Sequence, residues 1–146
     1  MSNYSDEELD KIWEKGFEVA GLDPKDYRTD AADGLMKRSL YGNEGKLGWE
    51  VDHIYPKEKL KEKGVPENKW DDMVNLRPMN AKNNVAKEED YPTYSVAVQY
   101  DVTSRTNTEV EGKSRTVDSG VQAKIASAYA KWLLIPVYRC VAAKNI

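Results

Sequence analysis

The sequence predicts an α+β domain: an N-terminal amphipathic helix, two short strands leading into a capped helix, and a C-terminal β-hairpin followed by a last helix. Three observations carry that prediction. Apolar residues recur at helical spacing from Leu9 onward. Two short β-rich runs, 47–54 and 74–78, are followed by Asn80, a residue suited to capping a helix. After Pro92, Tyr94, Val96, Val98 and Tyr100 alternate with other residues at strand period. A chain of 146 residues with 40% hydrophobic and 10% aromatic content fits one domain, 1–146, with its own core.

Taken in order, Ser5 and Glu8 form a capping-box pattern before Leu9, Ile12, Trp13, Phe17 and Ala20, so the first helix is expected to run to Gly21, with a turn at Asp23-Pro24. Leu35, Met36 and Leu40 suggest a short second helix between Thr29 and Leu40. Leu47 to Ile54 reads as a strand, and Tyr55 to Asp72 as a long loop with one helical turn around 57–63. Val74 to Pro78 is the second strand, and Asn80 caps a helix to about Glu88, stopped by Tyr91-Pro92. Glu109 to Val117 is expected to pair with the strand over 94–100. Ser119 to Leu134 reads as the final helix, with Val121, Ile125, Ala128, Tyr129 and Trp132 on one side and Pro136 ending it.

Cys140 is the only cysteine, so an internal disulfide or a thiolate zinc site is excluded and a reducing, cytoplasmic setting is the expectation. The longest apolar run, Trp132 to Val137, is too short to span a bilayer. The net charge of -3 is unevenly distributed. Residues 1–92 carry 15 Lys and Arg against 21 Asp and Glu, a net of -6, whereas residues 93–146 carry 7 against 4, a net of +3. Attraction to a polyanion must therefore be local, with the C-terminal third as its supplement.

The single histidine stands in Glu50-Val51-Asp52-His53-Ile54-Tyr55-Pro56, where a strand gives way to a loop. An Asp-His pair at a strand end is a weak signal alone. It is followed by Asn75-Leu76-Arg77-Pro78 and then Lys82-Asn83-Asn84, with Lys87 beyond. Together these pieces resemble the HNH endonuclease family, with the likeness covering roughly residues 27–92 and the motif core about 46–90. The resemblance implies a ββα-metal core in which His53 is the general base, Asn75 ties the loop that aims it, and Asp52 and Asn84 hold one divalent metal ion. Asn84 stands where the family often has His, and so is similar to the Asn variant in the HNH domain of RNA-guided CRISPR nucleases. Asn80, one helical turn away, competes for the ligand role but fits the helix cap; Asn83 is rotated away.

Oxygen ligands of this kind suit magnesium or manganese, with no structural zinc, and Arg77, Lys82 and Lys87 are candidate phosphate contacts. The implied activity is metal-dependent hydrolysis of DNA phosphodiester bonds, on double strands with little sequence specificity and with no membrane involvement. The sequence leaves room for a homodimer or a phage or host protein partner. The competing reading is a catalytically silent nucleic-acid-binding or protein-interaction module that keeps the fold. A toxin-like nuclease restrained by an inhibitor finds no support in the sequence.

Overall fold

The structure, a computed structural model, describes residues 3–133. Helix α1 (Asp6–Trp13) opens with the reciprocal cap expected of Ser5 and Glu8: Ser5 Oγ accepts from the Glu8 N–H at 3.1 Å and Glu8 Oε1 accepts from the Ser5 N–H at 2.9 Å. Its apolar face buries Leu9, Ile12 and Trp13. The helix stops well before Gly21. The Arg28 guanidinium donates to the carbonyls of Glu14, Gly16 and Pro24, which gives the chain an exit after Trp13. Phe17 leaves the helix altogether, pairs its backbone with Thr29 and stays 57% exposed, which corrects its assignment to the core face.

The helix expected over 29–40 is instead a β-hairpin, β1 (Tyr27–Thr29) with β2 (Leu35–Lys37), followed by a 3₁₀ turn at Arg38–Leu40. Asp30 decides this. Its buried carboxylate accepts from the N–H groups of Ala32 (2.9 Å), Gly34 (2.7 Å) and Asn80 (2.9 Å), so the turn is tied into the interior and overrides a weak helical pattern. Gly34 is needed there because a Cβ would lie 2.5 Å from Asn83 Nδ2.

Strands β3 (Trp49–His53) and β4 (Leu76–Asn80) pair antiparallel, with Asp52 opposite Arg77 and His53 opposite Leu76. Between them lie α2 (Lys57–Glu62) and two 3₁₀ turns. Helix α3 (Ala81–Lys87) follows β4 directly. Asn80 Oδ1 accepts from the N–H groups of Lys82 (2.8 Å) and Asn83 (3.3 Å), the predicted cap. The C-terminal hairpin is longer and more broken than expected: β5 (Thr93–Ser95) pairs with β8 (Ser114–Thr116), and β6 (Val98–Asp101) with β7 (Thr106–Glu109). The last helical segment divides at Tyr129 into α4 (Ser119–Ala128) and α5 (Ala130–Leu133). Leu134, Pro136 and Cys140 lie outside the described residues.

The fold is thus mixed α+β, with small antiparallel sheets. The β3–β4 ribbon divides two apolar clusters. Trp49 and Leu76 meet Leu9, Ile12, Trp13 and Met36 on one side, while Met79 and Ile54 join Leu60, Tyr94, Val117, Ile125 and Tyr129 on the other. Among the described residues no helix is long and apolar enough to cross a membrane.

Candidate functional site

The register of β3 and β4 makes Asp52 and Arg77 a cross-strand pair. Arg77 Nε donates to Asp52 Oδ2 at 2.9 Å, and Lys87, from the last turn of α3, brings Nζ to 3.2 Å from Asp52 Oδ1. All three side chains are buried. Burial pulls the Lys87 ammonium below the ordinary lysine range against the opposing charge of Asp52. Lys87 Nζ also donates to the His53 carbonyl at 3.2 Å, so the helix end is fixed to the strand end. The expectation that Arg77 and Lys87 reach solvent is corrected: their spacing along the chain was compatible with a surface role, but strand register and helix packing turn both onto Asp52. Lys82 is exposed.

Asn75 is fully buried just before β4. Its Oδ1 accepts from the Tyr55 N–H at 2.7 Å and its Nδ2 donates to the Tyr55 carbonyl at 3.1 Å, while its own carbonyl accepts from the Ile54 N–H at 2.8 Å. One side chain thereby clamps both backbone groups of the residue two beyond His53. The imidazole leaves a strand end whose continuation cannot swing.

His53 Nε2 meets Asp71 Oδ1 at 2.6 Å, and the Tyr4 hydroxyl donates to the same oxygen at 3.0 Å. Burial lowers the His53 pKa below its usual 6.5, and the hydrogen bond and charge of Asp71 oppose that shift. With Asp71 holding a proton on Nε2, the neutral ring offers Nδ1 as its basic nitrogen. Asp71 was not legible as a site residue: it sits 18 positions from His53 in a loop, and its only sequence signal is the acidic pair Asp71-Asp72 just before the strand of Asn75.

The three asparagines of the α3 region separate cleanly. Asn80 caps α3 and also donates to the carbonyls of Leu35 (3.0 Å) and Lys46 (2.9 Å). Asn83 points into the interior, where it bonds the backbone of Ala97 and Val98. Asn84 is half-buried and lines a cavity of about 380 Å³ together with Asp52 and His53. Glu50, Glu58, Glu88 and Glu89 stand on the same cavity, with Lys57 the lysine among its lining residues.

Among the described residues there is no cluster of three or more His, Cys, Asp or Glu side chains able to hold a metal ion. The carboxylate of Asp52 and the amide of Asn84, which line the same cavity, are the ligands the sequence resemblance would assign to one. Both offer hard oxygen atoms, which suit magnesium or manganese. Each Asp52 oxygen already carries one cationic contact, Arg77 on Oδ2 and Lys87 on Oδ1, with which an ion would compete.

Comparisons with protein-family models, with curated proteins and with solved structures each gave no match.

Proposed function

We propose that this chain is an HNH-type endonuclease that hydrolyses DNA phosphodiester bonds with one divalent metal ion, with His53 as general base. The observation that carries the reading is the convergence of Asp52, His53 and Asn84 on one acid-lined cavity, with Asn75 clamping the loop that follows the histidine. The strand-loop-strand-helix order of β3, β4 and α3 supports it.

His53 takes a proton from water as the water oxygen bonds to phosphorus; the phosphorus–oxygen bond to the leaving sugar opens, and that oxygen is protonated from solvent. Asp71 keeps the imidazole in the tautomer that can accept this proton. Asp52 and Asn84 would hold magnesium or manganese, which when bound stabilises charge developing on phosphate and leaving oxygen. Asn75 and the Lys87 contact to the His53 carbonyl keep the base from drifting relative to Asp52.

Plasmid nicking in magnesium or manganese tests the reading. Parent protein should nick, and His53→Ala should lose about 10²–10⁴ in rate while keeping its fold. Nicking that persists in excess chelator, or in His53→Ala at the parent rate, sinks it. One observation favours a second reading, the silent nucleic-acid or protein-binding module: both Asp52 oxygens are already ion-paired within the protein. Binding of DNA without any metal-dependent cutting would select that reading.

A further inference from the structure

A second cavity, of about 700 Å³, lies on the other side of the Asp52–Arg77 pair and has the opposite character. His53 lines the acidic cavity, whereas the next residue, Ile54, lines this one. Its volume falls in the range of small-molecule sites. Its floor is apolar, built from Ile54, Tyr94, Val117 and Val121, and its rim carries Lys15, Arg115 and Lys124 against the single carboxylate of Asp118. Arg77 forms part of the wall, with a side chain 9% exposed and an Nη2 that is buried without a hydrogen-bond partner.

Phe17, 57% exposed, completes the rim beside the apolar floor. Its backbone is nonetheless pinned, since the Phe17 N–H donates to the Thr29 carbonyl at 2.8 Å and the Thr29 N–H to the Phe17 carbonyl at 2.9 Å. The ring is therefore presented on a rigid base beside cations. The Lys15 ammonium donates to the carbonyl of Met73 and, at 2.7 Å, to that of Leu76, and burial together with the nearby charge of Lys124 lowers its pKa. Arg115 is partly neutralised by Asp33, and Lys15 is held by the two carbonyls, which leaves Lys124 as the rim cation with neither an ion pair nor a hydrogen bond among the described residues.

We propose that this cavity binds an unpaired, phosphate-bearing nucleotide, its base against Phe17 and the apolar floor and its phosphate at Lys124. Aromatic stacking beside a positive rim is how proteins hold single-stranded nucleic acid without reading its sequence. The inference extends the endonuclease reading and rests on it for the source of the nucleotide, an unpaired stretch of the DNA substrate; a free mononucleotide has the same chemistry.

Binding of a fluorescently labelled ten-residue oligothymidylate, of the same strand in duplex form and of thymidine monophosphate is measured on the full chain in excess chelator, so that cleavage plays no part. The strand should bind saturably and more tightly than the duplex. Phe17→Ala should weaken it on the order of ten- to a hundredfold, and Lys124→Glu should weaken it and flatten its salt dependence by about one phosphate contact. Both residues are exposed, so neither change threatens the fold. Binding of the mononucleotide alone, lost in both variants, keeps the site and assigns it to a free nucleotide. Absence of saturable binding to strand and mononucleotide, preference for the duplex, or binding that both variants leave unchanged overturns the proposal. Plasmid nicking scores the endonuclease reading separately: strand binding through Phe17 in a protein that does not cut would uphold the site and reject the nuclease.

Discussion

Asp52 is both a candidate metal ligand and, among the described residues, the only carboxylate paired with two buried cations, and replacing it by Ala separates those roles. Its own side chain is 5% exposed and those of Arg77 and Lys87 are 9% and 1% exposed, so the vacated site leaves two like charges in a dry environment. Removing one partner from a buried ion pair costs about 3–5 kcal/mol. For a domain of this size each kcal/mol lowers the melting temperature by about 2–4 °C, so Asp52→Ala should melt roughly 6–20 °C below the parent. Lys87→Met keeps most of the buried stem, discards a poorly solvated ammonium, and should cost less than about 1.5 kcal/mol. Adding Lys87→Met to Asp52→Ala should then recover about 1–3 kcal/mol, because the two residues interact directly. The sign in pH follows from the depressed Lys87 pKa: the unfolded chain binds a proton that the folded chain has released, so stability rises as pH climbs from the folded pKa towards 10.5. That rise should be absent in Lys87→Met. Thermal and urea melts in chelator decide the matter without any contribution from bound metal. An Asp52→Ala protein within about 1 kcal/mol of the parent, or a Lys87→Met variant worse than Asp52→Ala, would refute the triad as the stabilising unit.

Other outcomes follow from single contacts. Asn75→Ala strands the buried N–H and carbonyl of Tyr55 and should cost about 2–4 kcal/mol, with nicking falling further than the loss of folded protein explains; equal losses would deny Asn75 its aiming role. Asn80→Ala removes a cap and two buried donor contacts and should cost about 2–4 kcal/mol, whereas Asn84→Ala should change stability by less than about 0.5 kcal/mol and raise the metal concentration needed for cutting; the reverse pattern moves the ligand role to Asn80. Asp71→Asn should slow nicking by less than the roughly 10²–10⁴ of His53→Ala, and nitrogen NMR of the lone imidazole should show loss of the Nε2–H preference; an unchanged tautomer contradicts the assignment of Asp71. Because the folded His53 pKa lies below 6.5, the metal-free protein should lose stability as pH falls below that value, where the unfolded chain takes up a proton the folded ring refuses. His53→Gln should flatten that slope in pH-dependent melts.

The elements legible in the sequence were those specified by local chemistry. Ser5 and Glu8, Asn80, and the strand-forming run at 47–54 each announce themselves within a few residues; both caps stand where expected, and the strand forms over 49–53. The C-terminal end of α1 and the whole 27–37 hairpin did not, because Arg28 reaching back to three carbonyls and Asp30 gathering donors from Ala32, Gly34 and Asn80 are contacts made only after the chain has folded. The same limit applies to the site. Asp52 and His53 are neighbours in sequence, and the clamp by Asn75 follows the pattern of the resemblance. The inward turn of Arg77 and Lys87 depends on which face of a ribbon each occupies, and the arrival of Asp71 at His53 on the path of a long loop. Neither is encoded in spacing.

Asn83 gives the C-terminal third a role that its charge alone would not suggest. Its Oδ1 accepts from the N–H groups of Ala97 and Val98, both at 2.9 Å, and its Nδ2 donates to the Val98 carbonyl at 3.0 Å and to Asp30 at 3.2 Å. A side-chain amide here imitates a neighbouring strand, so that α3 is stitched laterally to β6 and to the first hairpin in one stroke. The β3–β4–α3 unit is consequently not a cassette that can be excised. Cutting the chain after α3 would remove the backbone that Asn83 was shaped to meet and open the floor under Met79, which Val117, Ile125 and Tyr129 complete, so a minimal version must carry residues up to at least 129.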